Sequence, residues 1–456
     1  MRLFDRTLWL GIAGVAASVA GGLATVPARA ADTSQQELLD RVKSLESQVT
    51  ELKSELKGQE TRSASADVAT TADAILRDAD RRSQFADPSR LSISYKDGKL
   101  LLRTDDGRFL LHPWLQFQFR NTTTYREDVK QGNTADDIQN GFEVRRLKFG
   151  LDGNVFTPDL TYLFQFAVDR HNGNPALEQA YVQYHFAGTP FSLKAGQFKD
   201  PLDHEQLVST RNTAAADRTL VNDLFANAEA FVQGVDLLYG DGGPLRAQVA
   251  FTDGLKSGNT SFQDYPTAGI PADWGAAGRV EYKLFGNWRD YEQLSAYGAD
   301  RELLVLGGGL DYTEAGHTGS LVHVADVQYG NGSGLGLYAA YLGRYGKENT
   351  VSKFTGDTYD WTVRAQASYV LHRNWEPFLQ YEFIHFDSNT LAAGAENTVH
   401  VFRLGTAYYL QGHNAKFQVD VSYLPNGSPV SDDGAGVLQD SGKNELILRG
   451  QFQLLL

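Results

Sequence analysis

From about residue 91 to the C-terminus, apolar and polar residues alternate along the chain with a period of two. Between residues 361 and 369, for example, Trp361 and Val363 alternate with Thr362 and Arg364. Successive side chains of a β-strand point to opposite faces, and a strand that crosses a lipid bilayer alternates over about ten residues. The pattern therefore predicts membrane-spanning strands with an apolar face toward lipid and a polar face inward.

Sixteen segments of the chain carry this alternation. Their approximate centres are Gln116, Leu147, Gln165, Val182, Lys194, Val235, Val249, Glu281, Leu306, Val324, Tyr338, Arg364, Tyr381, Leu404, Val419 and Gly450. An even number of antiparallel strands returns both ends of a barrel to one side of the membrane. The fold class that we predict is all-β: a sixteen-stranded antiparallel transmembrane β-barrel, preceded by an N-terminal α-helical coiled-coil segment.

The connections between these segments give an independent test. Bacterial outer-membrane barrels have short periplasmic turns and longer external loops. Most connections here alternate in the same way: residues 153–159 and 411–414 are short, whereas 200–229 and 425–444 are long. The segment 287–301 is an exception, because it is long where a short turn is expected.

The first thirty residues have the pattern of a secretory signal peptide. Arg2 and Arg6 provide a positive start, residues 8–20 are mostly apolar, and Ala28 and Ala30 form a small-residue cleavage site. We therefore predict a signal peptide at residues 1–30 and a final location in the outer membrane.

A heptad pattern follows the signal peptide. The apolar residues of this pattern are Leu38, Val42, Leu45, Val49, Leu52 and Leu56. Their spacing of four and three residues predicts a coiled-coil stalk at residues 31–60, in the periplasm, that associates with copies of itself. An amphipathic helix packed on another surface is the alternative. Residues 61–90 are rich in Ala, Ser, Thr and Asp and are predicted to be a linker, and residues 91–456 are predicted to be the barrel.

Composition and charge narrow the class of function. The net charge of −14 argues against nucleic acid as a partner, and the absence of Cys agrees with an oxidising compartment. No arrangement of Ser, His and Asp, no metal-ligand spacing and no phosphate-binding loop stands out among the residues. We therefore expect no catalytic residues, no metal, no cofactor and no enzymatic activity.

Three stretches resemble the phosphate-selective porin O/P family. They are Asp-Asp-Gly-Arg-Phe at 105–109, the stretch 142–153 with Arg145 and Arg146, and the stretch 191–201, which ends in Gly-Gln-Phe-Lys-Asp-Pro. The resemblance implies a sixteen-stranded barrel, usually trimeric, whose constriction is lined by basic residues and passes phosphate or polyphosphate. Outer-membrane lipid and further copies of the chain would then be its partners.

The same resemblance implies that Arg145, Arg146 and Lys194 lie at or near the constriction. Trp114 stands where the family carries Arg, and Gln206 stands where it carries Lys. Alternation adds residues on the inward face, and the third long loop adds more basic residues if it folds inward. The candidate residues of the constriction and anion pathway are Trp114, Arg120, Arg145, Arg146, Lys148, Lys194, Lys199, Arg211 and Arg218.

The inward face assigned by alternation carries more basic than acidic residues. The basic residues are Arg120, Arg146, Lys148, Lys194, Arg246, Arg279, Lys283, Arg364, Lys416 and Arg449, and the acidic ones are Asp169, Asp236, Glu281, Asp326, Glu382 and Asp420. A basic lining favours anions in a narrow pore. The sequence therefore predicts passive diffusion of small anions. A general porin, an outer-membrane hydrolase and a structural barrel that ties the membrane to the cell wall remain alternatives.

Overall fold

The computed structural model describes residues 40–51, 91–96, 98–127, 137–227, 231–255, 257–260, 272–315, 318–347, 357–391, 395–439 and 442–456. The chain divides into two compact units, Met1–Asp87 and Pro88–Leu456. The predicted signal peptide, the linker and part of the predicted stalk lie outside the described residues.

Within the first unit, residues 40–51 form helix α1. Val42, Leu45 and Val49 of the predicted seam are 50%, 57% and 49% exposed. Association through this seam stays a prediction. Among the described residues, no helix is long and apolar enough to cross a membrane.

The second unit is built almost entirely from strands. The strands are β1 (Leu91–Lys96), β2 (Lys99–Thr104), β3 (Leu110–Arg126), β4 (Ile138–Asn154), β5 (Leu160–Val168), β6 (Pro175–His185), β7 (Phe191–Lys199), β8 (Phe231–Gly240), β9 (Leu245–Thr252), β10 (Trp274–Phe285), β11 (Leu303–Ala315), β12 (Thr318–Gly330), β13 (Leu335–Gly346), β14 (Thr358–Tyr369), β15 (Trp375–His385), β16 (Thr398–Tyr409), β17 (Ala415–Leu424) and β18 (Glu445–Leu455). Two helical turns, α2 (His204–Leu207) and α3 (Trp288–Tyr291), a 3₁₀ turn (Thr210–Asn212) and a π-helical turn (Asn222–Asn227) interrupt them.

Strands β3 to β18 form a closed barrel. Each strand pairs antiparallel with the next along the chain, and β18 pairs with β3 to close the ring. In this closing pair Phe452 lies opposite Phe119. Every one of the sixteen predicted centres lies within a different barrel strand. The predicted all-β, sixteen-stranded antiparallel barrel is therefore confirmed.

Strands β1 and β2 form a hairpin that the sixteen predicted segments do not include. It joins the barrel at the start of β3, where Leu102 lies opposite Leu111 and Arg103 opposite Leu110. Each strand of the hairpin has only six residues. They were missed because the criterion of about ten alternating residues excludes such short strands.

The connections differ between the two ends of the barrel. At one end, which we call the short-turn end, most strands are joined by four or five residues, as at 186–190 and 331–334. The C-terminal Leu456 pairs with Leu115 at this end through two hydrogen bonds of 2.9 Å. We call the opposite end the long-loop end.

The connection 286–302, which joins β10 to β11 at the short-turn end, folds into the barrel. We call it the inward turn. Its residues Trp288 and Tyr291 are buried against Leu303 and Val305 of β11. The segment 287–301 is long where the alternation of connections leads us to expect a short turn. The structure explains its length, because the segment packs its apolar side chains inside the lumen.

Two β-bulges change the direction of charged side chains. Gln118 lies opposite Arg146 and Phe119 opposite Val144, so Arg145 is an additional residue in β4. Glu178 is additional in β6 in the same way. Strict alternation directs Arg145 toward lipid because it directs Arg146 inward. The bulge corrects this assignment, since an extra residue lets both arginines face the lumen.

Candidate pore constriction

The long connection between β7 and β8 folds into the lumen over its described residues, 200–227, which we call the inner loop. Its apolar side chains, including Leu202, Leu220 and Phe225, are buried in one cluster with inward side chains of the opposite wall such as Tyr338 and Leu342. The wall residues of this cluster belong to β12, β13 and β15–β18. Burial of apolar surface therefore holds the inner loop against that side of the barrel.

Charged and polar groups of the wall hold the inner loop from several directions. Arg364 of β14 donates to the carboxylates of Asp203 and Glu205. Lys199 donates to the carbonyl oxygens of Gln206 and Leu207 at 2.8 and 2.9 Å. Backbone groups of a buried loop need such partners, because an unpaired polar group in the interior costs free energy.

Three arginines converge on one carboxylate of the inner loop, that of Asp217. Arg120, Arg145 and Arg146 lie 2.9, 2.8 and 2.6 Å from its oxygens. Burial opposes ionisation, but the three guanidinium groups hold the pKa of Asp217 well below its usual range. Three positive charges around one negative charge leave this cluster net positive. We call it the Asp217 cluster.

The second bulge supplies another buried carboxylate to the same wall. Glu178 accepts hydrogen bonds from Lys148 and from Gln165. The charge of Lys148 is therefore offset by a neighbouring acid. The first bulge, by contrast, adds a cation.

A cavity of about 760 Å³, which we call the channel cavity, remains between the inner loop and the wall formed by β3–β6. Its lining includes Gly153 and Asn154 near the short-turn end and Arg170 and His171 at the long-loop end. Since these residues lie at opposite ends of the strands, the cavity extends along the height of the barrel.

Most of the candidate residues from the sequence line this cavity. They are Trp114, Arg145, Arg146, Lys148, Lys199, Arg211 and Arg218. Arg120 does not line it, because its side chain is buried behind Asp217 and hydrogen-bonds the carbonyl oxygen of Ala216. Lys194 does not line it either, because it pairs with Asp236 at 3.0 Å on the neighbouring wall.

The charge of the lining is predominantly positive. Its basic residues are Arg145, Arg146, Lys148, Arg170, Lys199, Arg211 and Arg218, and its acidic residues are Asp152, Asp169, Asp223 and Asp432. The lining thus holds seven basic and four acidic residues, and the buried carboxylates of Asp217 and Glu178 pair with three of the seven.

A second cavity of about 640 Å³ lies nearer the short-turn end and is bounded by the inward turn at Tyr291 and Glu292. Tyr181, Gln183, Ser209 and Arg211 line both cavities. These four residues therefore mark the junction between them.

The sequence did not single out the acidic residues that organise this site. Asp217, Glu178, Asp203 and Glu205 are all absent from the candidate residues. An isolated acid in a loop carries no periodic signal, and its partners become visible only when distant strands meet. Among the described residues, no group of three or more His, Asp and Glu side chains is arranged to hold a metal ion.

Comparisons with known proteins agree with the fold. The family profile "Phosphate-selective porin O and P" matches residues 119–272, which contain the inner loop and both bulges, and confirms the resemblance found in the sequence. A comparison with curated proteins gave no match.

Two solved structures illustrate the similarity of the fold. An anion-selective porin from Comamonas acidovorans matches with a TM-score of 0.54 and 13% identity, over 76% of this chain and 99% of that chain. OmpF of Salmonella typhi, in a complex with daunomycin, matches with a TM-score of 0.51 and 13% identity, over 80% of this chain and 100% of that one. Together with the family match, these likenesses support an outer-membrane channel.

Proposed function

We propose that this chain, with the barrel and the family resemblance described above, is an outer-membrane porin through which small anions diffuse passively. The observation that carries the proposal is the Asp217 cluster beside the channel cavity. Arg145 and Arg146 both line that cavity, and one carboxylate offsets only part of their charge. A fixed positive charge beside a water-filled path lowers the electrostatic barrier for anions and raises it for cations.

The pore is proposed to prefer anions in general rather than phosphate alone. Arg146 and Lys148 each share a carboxylate of the protein, and this offsets the charge that a multiply charged ion would meet. Trp114 and Gln206 line the cavity and replace two cations that the family resemblance implies. Phosphate and polyphosphate remain candidates to be tested as solutes of this channel.

The lengths of the connections at the two ends of the barrel suggest its orientation in the membrane. We propose that the short-turn end faces the periplasm and the long-loop end faces outward, as is usual in bacterial barrels. The N-terminal stalk is then periplasmic, and we propose a homotrimer as the assembly. We propose that the protein acts as a channel and not as an enzyme.

Reversal potentials in a planar bilayer test the anion preference. Under a potassium chloride gradient we expect a potential of anion-selective sign for the wild-type chain. The Arg145→Gln variant should lower the anion-to-cation permeability ratio by about threefold. A unit charge near an ion path in water changes the energy of the passing ion by less than about 1 kcal/mol.

The matched control is Arg103→Gln, which removes the same charge from an exposed position on hairpin strand β2. It should leave the reversal potential unchanged. A cation-selective sign for the wild-type chain would contradict the anion preference, and a protein that inserts without any conductance would contradict the channel. Addition of phosphate to one side then measures whether phosphate competes with chloride.

A further inference from the structure

Trp114 and Arg211 form an aromatic and cationic pair in the channel cavity. The guanidinium carbon of Arg211 lies 5.5 Å from the centroid of the Trp114 ring. Trp114 comes from β3 and Arg211 from the 3₁₀ turn of the inner loop, so the pair bridges the wall and the loop. Gly150 makes room for it, because a β-carbon there would lie 2.4 Å from the indole ring.

The carboxylate of Asp152 acts on the Arg211 guanidinium electrostatically, but the two groups form no ion pair. No hydrogen bond or ion pair from the guanidinium nitrogen atoms joins Arg211 to a described residue, whereas Arg145, Arg146 and Lys148 of the same lining all pair with carboxylates. A cation–π contact uses the face of the guanidinium and leaves its N–H edge available. That edge fits a carboxylate through two parallel hydrogen bonds.

The backbone of Arg211 is held firmly in this position. Its carbonyl oxygen accepts hydrogen bonds from Lys416 at 2.9 Å and from Gln453 at 3.1 Å. The neighbouring Asn212 is joined to Leu294 of the inward turn, whose N–H donates to its carbonyl oxygen at 3.0 Å. The fixed backbone anchors the base of the side chain, and the contact with Trp114 restricts the guanidinium, so that less conformational entropy is lost when a ligand binds.

Arg211 also lies where a solute meets it. It lines both the channel cavity and the second cavity, and so does the ring of Tyr181. Arg211, a cation without an ion pair among the described residues, therefore lies at the junction together with Tyr181, and Trp114 flanks it on the side of the channel cavity.

This combination selects for a particular chemistry. Inorganic anions such as phosphate gain nothing from an indole ring and lose hydration beside it. A planar organic carboxylate can place its carboxylate on the Arg211 edge and its ring against the aromatic and guanidinium faces, and each such stacking contact is worth about 0.5–1.5 kcal/mol.

We propose that Trp114 and Arg211 form a binding subsite for aromatic carboxylates within the pore, so that such solutes bind on their way through it. This inference rests on the proposed channel function and names a solute class for it.

Block of the chloride current by benzoate tests the subsite on the full-length protein in a planar bilayer. Benzoate should reduce the current at a concentration about fivefold lower than acetate, since benzoate adds ring contacts to the same charge. Inorganic phosphate and the neutral analogue benzamide should block no better than acetate.

Variants separate the two halves of the subsite. Arg211→Gln should weaken benzoate block by about tenfold, because it removes a charge-assisted hydrogen bond. Trp114→Leu should weaken it by about fivefold, and Trp114→Phe, which keeps an aromatic face, should stay close to the wild type. The matched control Arg170→Gln removes a charge from the other end of the same cavity and should leave the ratio of benzoate block to acetate block unchanged.

The outcomes are distinct. Equal block by benzoate and acetate, or unchanged benzoate block in Arg211→Gln, would overturn the subsite while the channel itself still conducts. Stronger block by phosphate than by benzoate would also overturn it. Loss of all conductance in the wild-type protein would instead overturn the channel function on which the inference rests.

Discussion

At the scale of single residues, the pore depends on one acidic side chain that pairs with three arginines. Asp217 lies on the inner loop, and its side chain is only 1% exposed. Arg120 behind it is fully buried, so it depends on Asp217 for its principal counter-charge. The same carboxylate therefore fixes the loop and sets the charge that faces the cavity.

Replacement of Asp217 by Asn tests this role. We expect the anion-to-cation permeability ratio to rise, because one negative charge disappears from the cluster. We also expect the free energy of unfolding to fall by about 3–5 kcal/mol, the usual cost when a buried ion pair loses one partner. Reversal potentials and unfolding in denaturant measure the two effects. A variant with unchanged selectivity and stability would contradict the role given to Asp217.

The stability difference between the wild type and Asp217→Asn should change with pH in a definite direction. Because the pKa of Asp217 is lowered in the folded state, its contribution to stability is present above the unfolded value of about 3.9 and is lost only as the pH falls through the lower folded value. The stability difference between the wild type and Asp217→Asn should therefore persist from pH 7 to about pH 4. A difference that disappears near pH 5 would show that the carboxylate is not held ionised.

At the scale of elements, the strands follow from the sequence, and the segments that fold into the lumen do not. Period-two alternation fixes each barrel strand because each side chain faces either lipid or lumen. The bulges at Arg145 and Glu178 break that rule, since they depend on the register with the neighbouring strand. The sequence alone does not show whether the inner loop folds inward, because the partners that hold it, such as Arg364, come from strands more than a hundred residues away.

The contribution of the inward turn to the width of the path can be tested by shortening this turn. It bounds the cavity at the short-turn end, and its Ser295 and Ala296 are fixed to Glu376 at 2.6 and 2.7 Å. If residues 288–300 are replaced by a four-residue turn, we expect the single-channel conductance to increase, because Tyr291 and Glu292 no longer bound the second cavity and the path there becomes wider. Unchanged conductance after removal of the turn would show that it does not narrow the path.

At the scale of the whole molecule, the exposed seam of α1 bears on assembly. Val42, Leu45 and Val49 are about half exposed in the single chain, which is a cost unless another copy covers them. Leu45→Asp should abolish self-association of a peptide of residues 31–60, measured by sedimentation equilibrium. Leu45→Ile, an apolar control, should associate like the wild type. A wild-type peptide that stays monomeric at millimolar concentration would contradict the proposed coiled coil, while the barrel would be unaffected.

The seam between β18 and β3 has a consequence for how the chain folds. It joins the first and the last strand of the barrel, and the side chains of Gln118 and Gln453, for example, meet although they are 335 positions apart in the sequence. Contacts of such separation form late, because a long stretch of chain must first be ordered. The carbonyl oxygen of Ala216 in the inner loop accepts hydrogen bonds from Arg120 on one side of the seam and Gln451 on the other, at 2.8 and 3.0 Å. We therefore expect closure of the ring and docking of the inner loop to be coupled, because one carbonyl group of the loop is bonded to both the first and the last strand of the barrel.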